Sequence, residues 1–73
     1  MRWERVDKGI WKLFRKLVVG EEYLGKLVFV MSDENVVDAY FVRAIDHQRL
    51  ALPLGDLLVL GAQHKVEQWF KRS

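Results

Sequence analysis

Side chains able to act as hydroxyl or thiol nucleophiles are almost missing from this chain, which has no cysteine, no threonine, and only Ser32 and Ser73. The two imidazoles, His47 and His64, fall in different expected elements. His64 and Glu67 stand three residues apart, a spacing that puts both on one helix face as half of a metal site. A structural zinc needs four ligands, so a second copy of the chain would have to complete it. Asp33, Glu34, Asn35 and Asp38 hint at a calcium loop, but no glycine occupies loop position six and Ala44 stands where the bidentate Glu belongs. Asp38, Asp46 and His47 are the acid–base groups at hand, and Asp46-His47 reads as turn chemistry. No glycine-rich phosphate loop, nucleophile elbow or zinc-binding His-Glu-x-x-His pattern occurs. These residues lead to no assigned catalytic, metal or cofactor-binding position, and no cofactor is expected.

Charge supplies the other chemistry. The formal net charge is +2, but it is segregated along the chain. Residues 1–20 carry Arg2, Arg5, Lys8, Lys12, Arg15 and Lys16 against Glu4 and Asp7. Residues 21–46 are acidic, with Glu21, Glu22, Asp33, Glu34, Asp38 and Asp46 against Lys26 and Arg43. The C-terminal stretch is basic again through Arg49, Lys65, Lys71 and Arg72. Arg5, Lys8, Lys12, Arg15 and Lys16 are the candidate contacts to phosphates or other anions. The acidic middle opposes a long polyanion, and the segment lacks the Asn and Gln that read adenine.

The elements that must position these groups are read from periodicity. Trp3, Val6, Ile10, Leu13, Phe14 and Leu17 form one stripe at a period near 3.6, which predicts an amphipathic helix over 3–18 with the five cations opposite. Gly9 inside it costs about 1 kcal/mol relative to Ala, and Gly20 is placed as the residue that ends it. Residues 26–31 predict a strand covered on both faces. A polar turn at 32–35 leads to a strand over 36–45, with Val37, Ala39, Phe41 and Ile45 inward. Residues 46–49 close a hairpin onto a strand at 50–54, where Pro53 marks an edge or an end. A helix is expected over 62–72, on the phase of Ala62, Val66, Trp69 and Phe70, while 56–60 stays open between a fourth strand and a helix capped by Asp56. The expected fold is one α+β domain spanning 1–73: an N-terminal amphipathic helix, a three- to four-stranded antiparallel meander and a C-terminal helix.

A chain of 73 residues that is 51% hydrophobic is too apolar for disorder, yet too short for a thick core. The pairs Tyr40-Phe41 and Trp69-Phe70, with the doubly apolar strand, are more large side chain than one thin core readily hides. Self-association as a homodimer is therefore expected, with Phe29, Tyr40, Trp69 and Phe70 as candidate contacts. The preferred expectation is a small non-enzymatic binding or interaction module that self-associates, with a protein partner as a further candidate. Its alternative is a nucleic-acid-binding or regulatory protein using the basic helix face, with Lys65, Lys71 and Arg72 in support. A third is an enzyme or metal site assembled across a dimer around His64. Association of the basic helix with anionic lipid, flanked by Trp3 and Trp11, is not favoured. No apolar run is long enough to span a membrane, no secretory leader is read, and a cytoplasmic setting is the default.

Overall fold

The computed structural model describes residues 1–53 and 59–72. Five strands, β1 (Arg2–Asp7), β2 (Ile10–Lys16), β3 (Glu21–Ser32), β4 (Asn35–Arg43) and β5 (Arg49–Ala51), precede one helix, α1 (Val59–Arg72). The strands pair antiparallel in the order β1-β2-β3-β4-β5, a plain meander. Helix α1 packs on one face of it, and the other face is left without a covering element among the described residues.

The expected N-terminal helix does not form: residues 3–18 fall instead on β1, β2 and the turns that follow them. Asp7-Lys8-Gly9-Ile10 turns the chain back, with Asp7 opposite Ile10 and Gly9 at φ 76°. The Gly9 carbonyl accepts the Phe29 N–H at 2.8 Å. A Cβ there would lie 2.9 Å from the Phe29 carbonyl oxygen, so the turn is built around a glycine. The helical spacing is a coincidence of two short alternating strands joined by a tight turn. Trp3 and Leu13 lie opposite each other on the helix-covered face, while Ile10 and Phe14 point the other way. Trp, Ile, Val and Phe also suit a pleated surface better than a helix. Gly20, expected to end that helix, sits in the β2–β3 loop at φ 78°.

The expected strand at 26–31 lies inside the longer β3 but is covered on one face only, with Leu27 and Phe29 buried and Lys26 and Val30 exposed, because the element expected to cover its other face is itself part of the sheet; the 32–35 turn is present. Of the inward set on β4, Ala39 and Phe41 are buried, whereas Val37 is exposed and Ile45 lies beyond the strand end. The last strand is shorter than 50–54, covering Arg49–Ala51. The expected C-terminal helix is α1, which begins at Val59; Asp56 and residues 57–58 lie outside the described residues.

Phe41 is the hub of the core. It is fully buried, with Trp3, Trp69 and Phe70 set edge-on at 6.3, 6.2 and 5.6 Å between ring centroids. Leu13, Leu24, Leu27, Phe29 and Ala39 from the sheet meet Ala62 and Val66 from α1 around it. Gly25, between Leu13 and Arg43 in the register, makes room for the ring: a Cβ would lie 2.5 Å from Phe41 Cζ. Two polar contacts tie the layers together. The Trp3 indole N–H donates to Glu67 at 3.1 Å, and the Arg43 guanidinium lies 4.9 Å from the Trp69 ring centre. No described helix is long and apolar enough to cross a membrane.

Candidate nucleic-acid interface

Losing the helix redistributes its cations. On strands, neighbours in sequence point to opposite faces, so Arg5, Lys8, Lys12, Arg15 and Lys16 do not form one basic surface. Arg5 is opposite Trp11 on the helix-covered side and, with Lys8, borders an apolar cleft of about 400 Å³ beside Trp11, Phe29 and Met31. Arg15 is paired with Glu22 at 3.1 Å. Lys12 and Lys16 lie on the uncovered face, Lys16 opposite Glu21. Trp3 and Trp11, the expected lipid anchors, pack against the core instead.

The register gathers a different set on that face. One row across the sheet reads Glu4, Lys12, Lys26, Val42, Arg49, and the next reads Ile10, Val28, Tyr40, Ala51. Beyond the irregularity at Leu13/Phe14 comes Arg2, Phe14, Tyr23. Each aromatic ring here has a cation over it. The Arg2 guanidinium is 4.7 Å from the Phe14 ring centre, Lys12 Nζ is 5.6 Å from Tyr23, and the Arg49 guanidinium is 4.7 Å from Tyr40. The Phe14 and Tyr23 rings are 5.7 Å apart. None of these side chains is buried.

Electrostatics separate the cations into engaged and available. Arg2 donates twice to Glu21, at 2.8 Å each, a contact that raises the Arg2 pKa and lowers that of Glu21. Lys12 and Lys26 are directly opposed across β2 and β3, and neither makes an ion pair among the described residues. Like charges in that relation destabilise a sheet. Both line a cleft of about 440 Å³ with Tyr23, Val42, Ala44 and His47. Partial burial raises the Tyr23 phenol pKa, which keeps the ring neutral and its face apolar.

The other expected positions are placed as follows. Phe29 is buried in the core, and Trp69 and Phe70 pack against Phe41, which leaves Tyr40 on the uncovered face. His64 Nε2 lies 3.0 Å from Gln68 Nε2, and Glu67 is engaged by Trp3. Among the described residues no three metal-ligating side chains come together. Lys65, Lys71 and Arg72 are exposed on α1. Arg2, Phe14, Tyr23, Lys26 and Arg49 were not expected as site residues. The signal for them is the alternation Lys12, Phe14, Lys16, together with Asp7-Lys8-Gly9 read as a turn. Comparison with protein-family models, curated proteins and solved structures finds no match to this chain.

Proposed function

We propose that this chain is a non-enzymatic binding module that takes single-stranded nucleic acid on its uncovered sheet face. The observation that carries the reading is the set of three ring–cation pairs there, Arg2/Phe14, Lys12/Tyr23 and Arg49/Tyr40. Unpaired bases offer flat faces that stack on aromatic rings and on guanidinium planes, while the cations meet the phosphates. A duplex hides its base faces, so single strands suit this surface better. The acidic side chains on the same face, Glu4, Glu21 and Asp38, set a limit to its net charge and favour a short contact over a long one.

Fluorescence anisotropy with labelled oligothymidylate and oligouridylate tests the reading. With Lys12 and Lys26 sharing one phosphate and Arg49 meeting another, the slope of log K against log salt is about −1.4, or roughly a sevenfold loss between 50 and 200 mM salt. Tyr23→Ala weakens binding by about tenfold, the worth of one stacked base, and, because the ring is 42% exposed and packs on Phe14, also costs about 1 kcal/mol of stability. No binding at 50 mM salt refutes the proposal. Light scattering at ~100 μM, without and with the oligonucleotide, reports self-association, which the aromatic content of the sequence suggested.

A further inference from the structure

The β4–β5 turn holds one side chain in a place that the sheet alone would not put it. His47 has φ 59°, in the left-handed region that histidine, like asparagine and aspartate, enters more readily than most side chains. The conformation is fixed from several sides. The His47 N–H donates to the Arg43 carbonyl at 2.8 Å, and the Arg43 N–H donates to the Gln48 carbonyl at 2.9 Å. Asp46 Oδ1 accepts from Arg43 Nε at 2.9 Å and from the Gln48 N–H at 3.1 Å. The result places His47 on the wall of the 440 Å³ cleft, with Lys12 from β2 and Tyr23 and Lys26 from β3 as the titratable groups lining it. Val42 and Ala44 complete the lining and carry no charge. The nearest charges on its own turn, Arg43 and Asp46, are paired with each other. The imidazole holds no hydrogen bond among the described residues.

We infer that Lys12, Lys26 and His47 form one seat for a phosphodiester of the bound strand, with the Tyr23 ring beside it as the platform for the adjoining base. This rests on the nucleic-acid reading above and specifies where on the face a phosphate is held. Lys12 has Glu4 on its β1 side, but no carboxylate stands between it and Lys26, and the imidazole is the third donor beside that pair. The two ammonium groups supply the charge, and the imidazole supplies a directional N–H to the same phosphate.

Oligothymidylate binding is measured by anisotropy at two salt concentrations for the wild-type chain, His47→Gly and His64→Asn. Glycine takes the left-handed backbone freely, so His47→Gly keeps the turn and removes the imidazole. Loss of one hydrogen bond to a charged phosphate is expected to weaken His47→Gly about tenfold, with the salt slope unchanged because the lysines still neutralise the same phosphate. His64→Asn, on the helix behind the sheet, is expected to bind as the wild type does. Wild-type affinity in His47→Gly, or an equal loss in His64→Asn, overturns the seat and leaves the broader reading intact. No binding by the wild type at either salt concentration overturns both.

Discussion

Gly25→Ala is the substitution that most directly tests how the core is assembled. The added Cβ would lie 2.3 Å from the Val42 carbonyl oxygen and 2.5 Å from Phe41 Cζ, at a backbone φ of 151°. Overpacking a tight core costs about 1–3 kcal/mol, and a residue with a side chain held in that backbone region costs about 1–3 kcal/mol more. The ring could tilt, but Trp3, Trp69 and Phe70 crowd its edges, and the carbonyl belongs to a paired strand. A loss of about 3 kcal/mol or more is therefore expected, against a total stability of about 4–11 kcal/mol for a chain of this length. At about 4–8 °C per kcal/mol, that lowers Tm by at least ~12 °C. Gly20→Ala is the control, since Gly20 is also at positive φ but a Cβ there meets nothing within 4 Å. It carries only the backbone strain, about 1–2 kcal/mol. Urea unfolding followed by tryptophan fluorescence compares the two. If both variants lose the same stability, the close approach of Phe41 to Gly25 contributes nothing and the packing argument fails.

Three further outcomes follow from local geometry. Asp33 and Glu34 form a two-residue hairpin turn with φ 50° and 68°, between the paired residues Ser32 and Asn35; replacing them with Asn-Gly, which suits such a turn, raises stability by about 1 kcal/mol, seen as a Tm increase of about 4–8 °C. The Arg43 guanidinium and the Gln48 N–H hold the Asp46 carboxyl down at about 2, below its unfolded value of about 3.9, so its contribution is present above about pH 4 and is lost as pH falls through about 2. Asp46→Asn lowers the urea midpoint at pH 7, and the difference from wild type closes between pH 4 and pH 2. Trp3→Phe removes the indole N–H donated to Glu67 and costs about 1 kcal/mol; in a double-mutant cycle with Glu67→Ala the two losses are not additive, and full additivity would show that the contact does not hold α1 to β1.

The C-terminal helix was legible because Val66, Trp69 and Phe70 form a stripe that no turn residue interrupts. Strands β3 and β4 were legible at their centres, where Leu27, Phe29, Ala39 and Phe41 lie, and so was the polar turn between them. The N-terminal third was not. Its apolar residues fit a helix stripe and a hairpin equally well over sixteen positions, and what decides between them is remote: the Gly9 carbonyl bonded to Phe29, and Leu13 seated beside Gly25 and Phe41. Trp3, Val6, Ile10 and Trp11 are residue types that suit a strand, a preference in accord with the hairpin. Part of the aromatic surplus is taken up within the chain, because Trp3, Trp69 and Phe70 all pack on Phe41, while Tyr40 stays on the uncovered face. Of the candidate interface, Lys12 was visible in the sequence, but its neighbours were not. Lys26, Tyr23 and Arg49 reach it only through strand register.

That register also exposes a conflict between folding and binding. Elsewhere in the sheet opposed charges are complementary: Arg15 faces Glu22, Lys16 faces Glu21, and Glu4 faces Lys12. Lys12 against Lys26 breaks the pattern at the centre of the uncovered face, where a carboxylate would serve the fold better. Lys26→Glu would place one there, opposite Lys12 and next to Val42. Replacing a like-charged pair with an opposite one is worth about 0.5 kcal/mol in a sheet, a Tm rise of about 2–4 °C. The same change puts a negative charge into the proposed phosphate seat and should abolish oligonucleotide binding. Gain of stability with loss of binding is what a functional site under strain shows. If Lys26→Glu is less stable than the wild type, the opposed lysines are not a cost to the fold; if it still binds single strands with unchanged affinity, they are not the phosphate contact.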